Sequence, residues 1–219
     1  MKPDVTKVKP DVKESKPHYW DKAKRSLARR DPVMAAIMRR HPRVHLEPRG
    51  DPFHTLARAI VGQQISVAAA QSVWNRFSTQ VSVVSPEQIL KAQTKDLRAC
   101  GLSGRKCEYI SDLAQRFADG AVQVHRWPGM DDEEVIDDLT QVRGIGRWTA
   151  EMFLMFNLLR ADVFPLGDLG LQKGLRIAYH GGRKISLKTM KSRGETLRPW
   201  RSVATWYLWR SLDPLPVEY

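Results

Sequence analysis

The sequence predicts an all-α protein, and three observations carry that expectation. Apolar residues recur at helical spacing along most of the 219 residues. A Ser, Thr or Asp stands ahead of several of these runs, twice with Pro beside it, at Asp51-Pro52 and Ser85-Pro86. Alternating apolar and polar residues are scarce, and only Val81-Ser82-Val83-Val84 reads as an extended stretch.

Residues 1–17 repeat Lys-Pro-Asp-Val at 2–5 and 9–12 and hold almost no large apolar residue, so they read as a disordered basic tail. Such a tail is either a solubilising appendage or an arm for a polyanion. From Tyr19 a helical pattern runs through Leu27, Val33, Ile37 and Met38, broken near Pro32 and ended by Pro42. Asp51 caps a helix through Phe53, Leu56, Ile60 and Val61, which Gly62 interrupts. Ser66 caps the next, from Val67 to Phe77. Ser85-Pro86-Glu87-Gln88 forms a capping box, and Thr94 and Ser103 cap two further helices. Asp131 or Asp132 opens a helix with Val135, Ile136 and Leu139 on one face. A helix from about Trp148 to Leu159 is apolar on most sides, which predicts a place deep in the core.

A hydrophobic content of 42% with 27% charged residues is ordinary for a globular protein. The net charge of +12 is not, and it favours polyanions: DNA, RNA or an anionic membrane surface. Residues 1–30 hold ten Lys/Arg against four Asp/Glu, or +6, which leaves +6 on the remainder. The folded part is therefore basic in its own right. No run approaches the roughly 20 apolar residues of a membrane span, and the N-terminus lacks the apolar core of a secretory signal. Cys100 and Cys107 fit a reducing, intracellular compartment and cannot supply the four thiolates of an iron–sulfur cluster. His41 and His45 are four apart but straddle Pro42, so no metal site is expected.

The most informative stretch follows Asp132. Leu139-x-x-Val142-x-Gly144-Ile145-Gly146-x-x-x-Ala150-x-x-Phe153 reads as helix, hairpin, helix. Gly144 and Gly146 permit positive φ and the close approach of a phosphate, Ile145 plugs the hairpin into its helices, and Ala150 lets them cross closely. Backbone N–H groups at a helix N-terminus suit one phosphate of a nucleic acid. Shortly downstream, Asp168 stands at the start of another helix. A carboxylate placed after such a hairpin outlines an enzyme acting on a nucleotide, although an Asp before Leu-Gly-Leu is also an ordinary N-cap.

Five runs in order resemble the 3-methyladenine DNA glycosylase II family within the helix-hairpin-helix DNA glycosylase superfamily. They are Ala59-Ile60-Val61-Gly62-Gln63-Gln64-Ile65-Ser66, Gly101-Leu102-Ser103-Gly104-Arg105-Lys106, Gly144-Ile145-Gly146-Arg147-Trp148-Thr149-Ala150, Gly167-Asp168-x-Gly170-Leu171-x-Lys173-Gly174 and Arg198-Pro199-Trp200-Arg201-Ser202. The superfamily's Gly/Pro-rich run before its aspartate is Pro165-Leu166-Gly167 here. The resemblance implies a two-lobed fold with a DNA cleft between the lobes: residues 51–163 carrying the hairpin, and residues 18–50 joined by 164–219. It makes Asp168 the catalytic carboxylate and places Trp148 and Trp209 in the base pocket. Met152 stands where a third aromatic is expected. DNA contacts are implied for Gln63, Gln64, Ser103, Arg105, Lys106, Gly144, Gly146, Arg147 and Thr149, with Gln64 as the wedge that fills the gap left by a flipped base. Helix-end capping is the other reading of Gln63 and Gln64.

The chemistry implied is excision of alkylated purines from double-stranded DNA by a monomer with no cofactor, apart from a structural monovalent cation that the hairpin could carry. In relatives that cut the strand through a Schiff base, a lysine stands two residues past the second hairpin glycine. Trp148 occupies that place, which points to simple hydrolysis without strand cleavage. A non-catalytic damage-binding module and a glycosylase for oxidised or mismatched bases are the alternatives. The first would lose the acid, and the second would usually bring the missing lysine or a four-cysteine cluster. The expected setting is intracellular and DNA-associated.

Overall fold

Local capping chemistry sets most helix starts in the computed structural model, which describes residues 16–212. Asp31 accepts from the N–H groups of Val33 and Met34, which breaks the first helical pattern into α1 (Trp20–Arg30) and α2 (Pro32–Arg40). Asp51 accepts from His54 N at 2.8 Å and starts α3 (Pro52–Gly62); Ser66 starts α4 (Val67–Val81). Ser85 Oγ accepts from Gln88 N and opens α5 (Pro86–Lys91), but the full reciprocal box forms instead between Asp131 and Glu134. Ser103 opens α7 (Gly104–Ala118), and Asp131, rather than Asp132, caps α8 (Asp132–Thr140). The hairpin then leads to α9 (Arg147–Phe156), and α10 (Leu169–His180), α11 (Leu187–Thr196) and α12 (Arg201–Leu212) complete the chain. A 3-10 segment spans Val124–Gly129.

Three expectations need correction. Val81 belongs to α4, Ser82 turns the chain at φ 60°, and no strand occurs among the described residues. The β-branched run misled because Val81 is buried as the last turn of an amphipathic helix. Thr94 is the first residue of α6 (Thr94–Ala99), and Gln93 takes the cap position without a side-chain bond. The expected tail lies outside the described residues except for Lys16 and Pro17, which are part of the fold. Pro17 is buried and its carbonyl accepts from Trp20 N, while Lys16 pairs with Asp21 at 2.7 Å.

Helices α1, α2, α10 and α12 pack on one another, and α3 packs against α4, α7 and α9 in a second group. Gly174 permits the close crossing of α10 and α12, because a Cβ there would sit 3.2 Å from the Leu208 carbonyl oxygen. Tyr179 on α10 donates to Asp31 Oδ2 at 2.8 Å, tying the α10 surface to the cap of α2. Helix α9 runs through the core, with Ala150 through Phe156 all buried, as its apolar surface demands. Trp20, Trp74, Trp127 and Trp206 are core residues; Trp127 satisfies its indole N–H on Asp138 at 2.6 Å. Among the described residues no helix is long and apolar enough to cross a membrane.

Candidate active site

Asp168 is held at the end of a fastened loop. Arg198 and Arg201 both bind the Asp162 carboxylate, at 2.7 and 2.9 Å. Ser202 Oγ donates to Arg160 O and accepts from Val163 N. The run Arg198–Ser202 therefore works as a clasp on residues 160–163, a role its sequence did not announce. Asp168 N then closes a turn onto Pro165 O, and Oδ1 accepts from Leu171 N at 2.6 Å, so the aspartate does cap α10.

Capping occupies only part of the carboxylate. Oδ1 also accepts from Trp209 Nε1 at 2.8 Å, and Oδ2 accepts from Trp148 Nε1 at 2.9 Å. Three N–H donors from three elements thus fix an aspartate that is 7% exposed. Gly170 makes this possible: a Cβ there would lie 3.1 Å from Oδ1 and 3.2 Å from the Trp209 ring.

The two tryptophans expected in the base pocket divide their roles. Trp148 is 37% exposed and lines a largely apolar cleft of about 290 Å³ together with Gln64, Met152, Phe156 and Arg49. Trp209 is 5% exposed and lies behind the cleft wall, stacked on Phe156 at 6.2 Å with 10° between the rings. Phe156 lines that wall with the Arg49 guanidinium 4.4 Å from its ring centroid, and Trp209 reaches Asp168 from behind it. Arg49 and Phe156 were missed from sequence. Phe156 looked like one more apolar residue of a core helix, and Arg49 one more cation in a basic chain.

Only one hairpin glycine needs left-handed backbone. Gly144 has φ +82°, and a Cβ on it would collide with the Tyr109 ring. Gly146 has φ −96° with open space around it, which corrects the expectation of positive φ there. It is the N-cap of α9 with no side-chain cap bond, so the first turn of that helix presents backbone N–H groups. Thr149 in that turn is buried against the cleft. Arg147 grips Glu133 with two bonds, at 2.8 and 2.6 Å, and Glu151 at 3.1 Å. Burial pushes the Glu151 carboxyl up, opposed by the Arg147 guanidinium.

The loop after α3 is tied to the hairpin. Gln63 Nε2 donates to Gly144 O at 2.8 Å, and Lys106 Nζ donates to Val61 O at 2.8 Å. Burial pulls the Lys106 ammonium down. Immediately after these ties Gln64 is exposed at φ 59°, a left-handed backbone that a non-glycine residue adopts only where its surroundings hold it. Ser103 spends its hydroxyl on capping α7, and Arg105 beside it is exposed. No cluster of three or more His, Cys, Asp or Glu able to hold a metal occurs among the described residues.

Known proteins share this arrangement of elements. A DNA-3-methyladenine glycosidase from Bacillus halodurans superposes with a TM-score of 0.79 at 33% identity, over 87% of this chain and 89% of that one. The Schizosaccharomyces pombe 3-methyladenine DNA glycosylase, solved in complex with abasic DNA, has a TM-score of 0.79 at 30% identity, over 90% and 99% of the two chains. In sequence, DNA-3-methyladenine glycosylase 1 of S. pombe is 34% identical over 165 residues, 74% of this chain and 72% of its own length. Residues 57–200, from α3 to the clasp, match the family described as HhH-GPD superfamily base excision DNA repair protein. With the hairpin, the capped aspartate and that match in the same stretch, the chain belongs to the HhH-GPD superfamily of base excision DNA repair proteins.

Proposed function

We propose that the protein is a monofunctional DNA glycosylase that hydrolyses the N-glycosidic bond of alkylated purines, such as N3-methyladenine and N7-methylguanine, in double-stranded DNA. The observation that carries this reading is the Asp168 carboxylate, fixed by three N–H donors and joined through Trp148 to an apolar cleft. A carboxylate needed only as a cap would not require two indoles converging on it.

The target base is extruded into the cleft, since its glycosidic bond cannot be reached inside the duplex. Uncapped N–H groups at the start of α9 take a phosphate, with Gly146 leaving room for it and Thr149 contributing through its main chain. Exposed Gln64 enters the gap, and Arg105 adds charge. Gln63 ties the wedge loop to the hairpin and Lys106 of α7 ties down the end of α3, rather than touching DNA themselves. Arg147, already paired with Glu133 and Glu151, adds less to the grip than its position suggested. An alkylated purine stacks on Trp148 and meets Met152 and Phe156. As its bond to C1′ breaks, Asp168 opposes the positive charge on the sugar and orients the attacking water.

Neither a lysine nucleophile nor a cofactor is part of this reaction, and we propose that the enzyme acts as a monomer. Hairpin carbonyls are the hard oxygen donors a structural monovalent cation would take, and one of them, Gly144 O, is already engaged by Gln63. Mass spectrometry of bases released from methylated duplexes, with a parallel check for strand breaks before alkali, tests the proposal. Free methylpurine over intact strands is expected. Tight binding of damaged DNA with no base released would instead identify a non-catalytic module, and strand breaks would identify a lyase.

A further inference from the structure

We propose that the far end of α10 and the start of α11 form a second DNA surface, which holds the phosphate backbone of another duplex segment while the cleft is occupied. The inference goes beyond the proposed reaction and needs of it only that the cleft takes DNA.

The protein's positive charge does not sit where the hairpin is. Residues 51–163 hold 12 Lys/Arg against 14 Asp/Glu, whereas residues 16–50 and 164–212 together hold 20 against five. The densest part lies between Asp168 and Glu195: residues 169–194 carry seven Lys/Arg and no carboxylate. Arg198 and Arg201 beyond it give their charge to Asp162 and Glu195. Arg183, Lys184 and Lys188 are exposed, and no ion pair engages them among the described residues.

The surface has a fixed shape. Gly181, left-handed at φ +58°, ends α10, and Arg183 Nε donates to His180 O at 3.3 Å, a bond that uses one of its five N–H donors. Between the end of α10 and α11 lies a groove of about 360 Å³, lined by His180, Lys188 and Arg193 and by Thr189, Ser192 and Thr196. The Arg193 guanidinium lies 4.5 Å from the Tyr179 ring centroid, and the Tyr179 hydroxyl donates to Asp31, so this wall is anchored to the core. Cations interleaved with hydroxyls are the donors that phosphate oxygens take, and they read no sequence.

Distance separates this surface from the cleft. Asp168 caps the first turn of α10, and the helix then runs 12 residues along α12 to the α1–α2 junction. At 1.5 Å per residue its far end lies ~18 Å from the acid, about twice the Debye length at physiological salt. Arg183, Lys184 and Lys188 therefore add little to the field at Asp168 and act on phosphates that touch them directly. A face with no acid of its own releases counterions when a duplex covers it, and the gain is the same for any sequence. Such a face lets the molecule take hold of a new segment before it leaves the old one.

The test fills the cleft with a short abasic-analogue duplex carrying one dye and then adds an undamaged duplex carrying a second dye. Wild type is expected to carry both dyes in one complex, and the second duplex should be lost as salt rises. Combining Arg183→Gln, Lys184→Gln and Lys188→Gln should weaken uptake of the second duplex roughly tenfold or more and lower its salt slope by about three. The double variant without Lys188→Gln should fall between the two. Melting temperature, affinity for the abasic duplex and single-turnover excision should stay at wild-type values. No second duplex on a filled cleft, or uptake that the triple variant leaves unchanged, overturns the inference. Equal weakening of the abasic duplex would also overturn it, by making these cations part of the cleft's own footprint. Binding of phosphatidylglycerol vesicles in place of the second duplex would assign the surface to a membrane instead. A wild type that takes up both duplexes but releases no base would overturn the glycosylase reading and leave this inference standing.

Discussion

Asp168 does two jobs with one carboxylate, and its variants should separate them. In Asp168→Asn the amide oxygen can keep Leu171 N and Trp209 Nε1, but its NH2 then faces Trp148 Nε1, donor against donor. Because Trp148 is partly exposed, its indole can turn to water, so stability should drop by only about 1 kcal/mol. Excision of N3-methyladenine should fall by about 10²–10⁴-fold. Activity near wild type would return Asp168 to the role of helix cap. Trp209→Phe keeps the stack on Phe156 and removes the donor to Oδ1. It should lower stability by about 1–3 kcal/mol and slow excision, while affinity for an abasic duplex stays the same. Since Trp209 lies behind the cleft wall, excision rates of different bases should slow by one common factor; a change in base preference would argue that the ring does touch the substrate.

At the scale of the element, the hairpin glycines should behave oppositely. Gly144→Ala puts a Cβ at φ +82° and into the Tyr109 ring, at a cost of roughly 1–3 kcal/mol for the backbone alone. Its melting temperature should fall clearly, and adding Tyr109→Ala should recover only the steric part. Gly146→Val meets open space and an ordinary φ, so the fold should survive. What it obstructs is phosphate approach to the start of α9, and binding to duplex DNA should weaken whatever the base. Equal melting losses in both variants would contradict this division. The clasp offers a third contrast: Asp162→Asn removes the charge gripped by Arg198 and Arg201, and should loosen the loop leading to Asp168 without touching the cleft.

For the molecule as a whole, a charge of +12 predicts duplex binding that weakens steeply with salt. Single alanine variants should reveal which cations meet phosphate. Arg105→Ala should reduce the slope of log affinity against log salt by about one, whereas Arg147→Ala should change it less, because Glu133 and Glu151 already compensate Arg147. Deleting residues 1–15 should lower affinity and slope modestly and leave excision by saturating enzyme intact. A larger effect of Arg147 than of Arg105 would mean that DNA breaks the Glu133 pair on binding.

Much of this molecule is written in short-range chemistry, and that part was legible. Asp31, Asp51, Ser66, Ser103, Asp131 and Asp168 each cap a helix three residues or fewer from the N–H they satisfy, so the capping depends on nothing distant. The hairpin spacing and the position of the acid were legible for the same reason. The reading failed where local preference competes with burial, as at Val81, or where no side-chain bond marks the cap, as at Gln93 ahead of Thr94. What only the tertiary structure decided is which side chains meet. Trp148 and Trp209 reach one carboxylate from 20 and 41 residues away, Arg49 meets Phe156 at the cleft, and Arg201 clasps Asp162. Each of those meetings depends on helix crossings and side-chain directions set by packing of the whole core, which no periodicity along one segment contains.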